Sequence, residues 1–134
     1  MTEAVNTQPA ALPTQPDAPW RDADDLRWAA RHWAARIGVS LRRLTVRPMK
    51  RKWASISTVG RLTLDAGLLQ LPRHLGEFVI VHELVHLLCP KARHGRVFKA
   101  FLSAYLPGWQ QQEQALQKYA REPARKIKKP RPLK

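Results

Sequence analysis

His82, Glu83 and His86 form a His-Glu-x-x-His string inside Phe78-Val79-Ile80-Val81-His82-Glu83-Leu84-Val85-His86-Leu87-Leu88, an otherwise apolar run of helical length. On a helix, residues four apart share a face, one turn above each other. His82 and His86 can therefore aim two imidazoles at one point, as a helix does when it holds zinc. Glu83 sits beside them, placed to act as a general base on a water activated by the metal. The apolar residues surround this helix instead of lining one stripe, so it is expected to be buried. Buried polar groups are costly without partners, and a metal with its water supplies partners for all three. The plainer reading is a core helix carrying stray polar residues. Chance produces the string in on the order of one in a few hundred chains of this length at ordinary residue usage, and the apolar setting lowers that further.

A catalytic zinc needs a third protein ligand, with water in the fourth position. Cys89 lies three residues past His86, but His82 and Cys89 are seven residues apart, or about 10 Å of helix. Zinc bonds of about 2.0–2.3 Å cannot span that distance. Pro90 also pushes Cys89 out of helical conformation, so Cys89 reads as a small packing residue at the helix end. His94 is the better third ligand. The helix should stop near Leu88, and Pro90-Lys91-Ala92-Arg93 can turn the chain so that His94 returns to the metal. Gly95 gives the backbone freedom there. The plain alternative for His94 is a solvated loop histidine, and the alternative third ligand is Glu113 on a later helix.

His82-Glu83-Leu84-Val85-His86, seven residues, then His94-Gly95-x-x-Phe98 resembles the YgjP-like metallopeptidases, relatives of the SprT and WLM groups. Lys52-Trp53-Ala54-Ser55-Ile56-Ser57 resembles that family's basic-Trp-Gly-Ser-Cys-Ser stretch, and Arg61-Leu62-Thr63-Leu64-Asp65 the strand after it. Leu106-Pro107-Gly108-Trp109 resembles its Pro-x-Trp. The likeness covers roughly residues 40–120. Ala54 and Ile56 depart from the family's Gly and Cys, so any role of that thiol is absent. Gly95 is the SprT-like choice where YgjP-like chains more often have Ser. The resemblance implies a minimal zincin, its active-site helix packed under a small sheet.

The elements that must position these residues read as mixed α and β. Asp22 to Ile37 is a helix, with acidic residues at its start, Leu26, Ala30, Trp33 and Ile37 as its stripe, and Gly38 as its stop. Leu41 to Val46, Lys52 to Ser57 and Arg61 to Leu64 alternate as half-buried strands do, the last two joined by a glycine-containing turn. Pro72 precedes the metal helix, and helices near Arg96–Tyr105 and Gln110–Ala120 follow. Helix, strands, then helices indicate an α+β domain with one small sheet. Zincins often hold a peptide as an added strand, and Arg61–Leu64 is the segment expected to do so.

At 134 residues the chain is one domain by size. Residues 20–120 are expected to form it, between disordered tails at 1–19 and 121–134. The first tail is polar and Pro-rich and lacks the pattern of a secretory signal. The second has seven Lys or Arg against one Glu, with three prolines. One cysteine excludes an intrachain disulfide and suits a reducing, cytoplasmic setting. No apolar run approaches 18–20 residues, so no membrane span is expected.

The net charge is +14. Scattered charge usually makes a solvated face, but Arg42, Arg43, Arg47, Lys50, Arg51 and Lys52 are concentrated enough to form a patch for nucleic acid. The five tryptophans read as core residues, not base-stacking platforms. The functional expectation is a zinc-dependent metallohydrolase acting on protein or peptide, with Zn²⁺ on His82, His86 and His94 and Glu83 as base. Arg96, Ser55 and Tyr105 are candidate oxyanion donors. The competing readings are a zinc-stabilised nucleic-acid-binding module without catalysis and a non-peptide amide hydrolase. Glu83 argues against the first, since a structural zinc site closes its fourth position with a protein ligand.

Overall fold

The first helix, α1, spans Ala23–Ile37 and starts where Asp22 caps it, the Asp22 carboxylate accepting from the Asp25 N–H at 2.9 Å. Asp24 and Asp25 crowd its first turn, where the helix dipole favours negative charge. It ends at Gly38, left-handed at φ 92°, whose N–H donates to the Ala34 carbonyl. Leu26, Ala29, Ala30, Trp33, Ala34 and Ile37 form its buried face. These bounds follow the cap signals in the chain. The computed structural model describes residues 18–91 and 94–121. The expected tails lie almost wholly outside that range.

Three strands follow: β1 (Arg43–Arg47), β2 (Ala54–Ile56) and β3 (Arg61–Asp65). Their order is β1-β3-β2, with β1 parallel and β2 antiparallel to β3. One register row joins Val46, Leu64 and Ala54, and another joins Leu44, Leu62 and Ile56. Leu62, Leu64 and Ala54 are buried, so these rows form the core-facing side. The other side carries Arg43 beside Arg61, Thr45 beside Thr63 and Ser55, and Arg47 beside Asp65. The β2–β3 turn contains Gly60 at φ +91°, where an added Cβ would stand 2.6 Å from the Ser40 carbonyl oxygen. A side chain there would be strained and would displace the start of β1.

Arg61–Leu64 cannot hold a peptide as an added strand. It lies in β3, the central strand, hydrogen-bonded on both sides. The free edges belong to β1 and β2. Local alternation identifies a strand but says nothing about its neighbours.

A 3₁₀ segment at Ala66–Gln70 leads to the 16-residue helix α2 (Arg73–Leu88). Pro72 precedes it, as the missing proline N–H and fixed φ allow at a helix start. Every residue from Phe78 to Val85 is buried. That follows from its setting: α2 touches α1, β2, α3 (Arg96–Tyr105) and α4 (Trp109–Arg121). With neighbours on all sides, an apolar stripe would not suffice.

The α1–α2 contact carries a buried polar cluster. The Arg73 guanidinium donates to the Asp25 carboxylate, both side chains being almost fully enclosed. Arg73 also donates to the carbonyls of Ala18 at 3.3 Å and Pro19 at 3.5 Å, and lies over the Trp20 ring. Gly76 leaves room for that ring, since a Cβ would stand 2.7 Å from it. Trp33 donates from Nε1 to Glu77 at 3.2 Å. Trp20, Trp33, Trp53 and Trp109 are core residues, while Trp28 is half-buried and stacks on His32. Among the described residues, no helix is long and apolar enough to cross a membrane.

Candidate active site

His82 and His86 occupy one face of α2, and His94 stands just before α3. Their ring nitrogens include one from each residue such that all three lie within 4.8 Å of one another. Nε2 of His86 and Nε2 of His94 are 2.9 Å apart. Zinc–nitrogen bonds of about 2.0–2.1 Å in tetrahedral array set neighbouring nitrogens roughly 3.3 Å apart, so small side-chain adjustments would fit this set to one ion.

The environment keeps the rings in the form a metal requires. Burial pushes the His82 imidazole down to about 4, with Glu113 acting the other way. Burial and then His82 push His86 down to about 4. His94 is lowered by burial and then His82. Neutral imidazole offers a lone pair, and three nitrogen donors suit zinc better than a hard cation such as Mg²⁺.

Phe98 completes the wall. It is 1% exposed, and its ring centroid lies 5.1 Å from that of His82, 4.5 Å from His86 and 4.9 Å from His94. One hydrocarbon plate thus restrains all three imidazoles. The His94-Gly95-x-x-Phe98 spacing was the signal for it. At His94, Gly95 opens α3, which places Phe98 on its first turn.

Glu83 is almost fully buried, and its Oε2 lies 3.3 Å from Nδ1 of His82. Burial pushes its carboxyl up to about 7, opposed by electrostatic interaction with His86, then Lys52 and His94. Such a group can hold and release a proton near neutral pH. It opens onto a groove of about 260 Å³ lined by Lys52, Ala54, Ser55, Ser57, Glu83 and His86, among others. The groove runs along β2, the free edge strand on this side. A second cavity, of about 300 Å³, is lined by His82, His94, Phe98, Leu102, Trp109 and Glu113, among others.

Cys89 stands at the end of α2, its thiol donating to the Val85 carbonyl, and is absent from the histidine cluster. Glu113 lines the second cavity but is likewise absent from the cluster. Of the three candidate oxyanion donors, Ser55 lines the groove. Arg96 and Tyr105 line neither of these two cavities. Lys52, read in the sequence as part of a basic run and as the basic residue of the family-like stretch, stands in the groove.

Residues 21–119 match the family described as YgjP-like, metallopeptidase domain. Two similar solved structures are metallopeptidase zymogens. Abylysin of Pyrococcus abyssi is 24% identical with a TM-score of 0.62, the match covering 69% of this chain and 92% of that one. Jannalysin of Methanocaldococcus jannaschii is 22% identical with a TM-score of 0.63, covering 69% and 94%. At these identities the likeness speaks for the fold, a small α+β domain. No curated protein matches the chain.

Proposed function

We propose, from the premise that the chain belongs to the YgjP-like metallopeptidase family, that it is a zinc peptidase using His82, His86 and His94 as ligands and Glu83 as general base. The observation that carries the reading is the convergence of three neutral imidazoles on one point beside a buried, proton-holding carboxylate. When bound, the ion would polarise the scissile carbonyl and acidify a water.

The chain's own residues would do the rest. A peptide would lie along the free edge of β2, pairing its backbone with the strand and presenting one carbonyl to the histidine cluster. Glu83 would take a proton from the attacking water and pass it to the leaving amine. Its burial keeps that proton affinity near neutrality, where a group can both accept and release a proton. Ser55 and Lys52 line the groove and would be the donors to developing negative charge. Phe98 holds the ligand rings in place.

The test is metal content and hydrolysis measured together. Purified protein should carry about one zinc per chain and cleave an unfolded protein substrate, with activity lost on chelation and restored by zinc. A protein that carries zinc and cleaves no peptide bond would favour the non-catalytic reading. One that stays active when stripped of metal would exclude the proposal.

A further inference from the structure

From Leu26 to Leu64 the chain has ten Lys or Arg and no Asp or Glu. Three of these, Arg43, Arg47 and Arg61, lie on the sheet face away from the core, and Arg42, Lys50, Arg51 and Lys52 flank its strands. Arg43 and Arg61 are register partners on adjacent strands, both pointing away from the core side and both exposed. Arg47 stands four residues along β1, roughly 13 Å from Arg43 at the usual strand rise. Between them runs the hydroxyl row of Thr45, Thr63 and Ser55. Arg42 precedes the strand, and the exposed Lys50–Lys52 segment closes one end.

Like charges on register partners repel. Carboxylates near the patch are few: Glu83 meets Lys52 from the groove, and Asp65 is the register partner of Arg47. The one carboxylate in the same rows, Asp65, is 3% exposed and accepts from the Met49 N–H at 2.9 Å. A chain that needed charge only for solubility would gain by interspersing both signs. A single-signed face with hydrogen-bonding hydroxyls is what a run of phosphates requires.

We infer that this sheet face, centred on Arg43, Arg47 and Arg61, binds the sugar–phosphate backbone of double-stranded nucleic acid. Duplex is favoured over single strand because the face offers no aromatic ring on which an unpaired base could stack, Trp53 being buried. Among the described residues no helix lies on this face to enter a groove, so base identity is not read. Lys52, in the exposed segment at one end of the sheet, lines the groove beside Glu83, so a bound duplex would lie next to the hydrolytic site. The inference itself does not depend on hydrolysis.

The experiment is a fluorescence-anisotropy titration of the full-length protein with a labelled duplex from low to physiological salt. A triple variant, R43Q/R47Q/R61Q, removes three charges from the face. A control triple, R27Q/R31Q/K118Q, removes three from α1 and α4. Thermal melts of both check folding. The face variant should bind at least tenfold more weakly at low salt, with its log–log salt slope shallower by about 2.7, from three lost phosphate contacts at roughly 0.9 each. The control should stay within threefold of the parent. Equal losses in both triples would make binding a matter of total charge and overturn the inference. So would no duplex binding at low salt, tighter or base-dependent binding of a single strand, or displacement of the labelled duplex by polyglutamate at lower charge concentration than by unlabelled duplex, which would indicate an acidic protein partner.

Discussion

Replacing Arg73 by Met should unfold this domain at a far lower temperature while leaving its chemistry in place. Arg73 and Asp25 come from helices whose contact organises the core, and their side chains are 3% and 2% exposed. Removing one partner of a buried ion pair costs about 3–5 kcal/mol, because the other charge stays buried without compensation. Arg21 also reaches Asp25, but its own side chain is 72% exposed, so it supplies little cover. For a domain of this size, each kcal/mol moves Tm by about 4 °C, which puts Arg73→Met some 12–20 °C below the parent. The double variant Asp25→Asn/Arg73→Met leaves no buried charge and should recover much of the loss. Acid dependence gives a second reading. Burial alone would raise the Asp25 carboxyl, but hydrogen bonds from Arg21 and Arg73 outweigh it and hold it below the usual carboxylate range. A carboxylate lowered in the fold contributes stability above its unfolded pKa of about 3.9, and that contribution disappears as pH falls through the folded value. Differential scanning calorimetry from pH 7 to pH 2.5 should show this acid loss in the parent and its reduction in Asp25→Asn. His82 lies nine residues from Arg73, about 13 Å along α2, so zinc content at 20 °C should be unchanged. A melt within 2 °C of the parent for Arg73→Met would refute the reasoning.

Glu83→Gln should keep zinc and fold but lower peptide hydrolysis by about 10²–10⁴-fold, the usual worth of a general base; full activity in that variant would remove Glu83 from the mechanism. His94→Ala should sharply reduce zinc bound after dialysis, measured by atomic absorption, whereas Cys89→Ala should not, and the opposite pattern would overturn the ligand assignment. Gly76→Ala drives a methyl against the Trp20 ring at 2.7 Å and should cost about 1–3 kcal/mol by denaturant titration. Removing residues 122–134 should weaken duplex binding and flatten its salt slope through lost Lys and Arg, with zinc content unchanged.

How far the sequence could be read depended on the range of the interaction. Asp22, Gly38 and Pro72 are local stop and start signals: α1 begins after Asp22 and ends before Gly38, and α2 begins after Pro72. The histidine cluster was legible for the same reason: helix periodicity and one short return determine it. Strand order was not, because β1 and β3 pair in parallel across a segment that itself forms the opposite edge. The Asp25–Arg73 pair joins residues 48 apart, with no periodic signal to announce it. The 3₁₀ turn at Ala66–Gln70 was likewise hidden in an apolar stretch without caps.

The brevity of β2 has a consequence of its own. An open strand edge is a template for any other extended chain, including another copy of the same protein, and long flat edges lead to aggregation. Here the edge is three residues long and is preceded by Lys50, Arg51 and Lys52. Two such edges approaching each other would bring their cations together before their backbones could pair. An incoming peptide without that charge meets no such barrier. The strand can therefore stay open to other chains while its basic approach keeps it closed to its own kind.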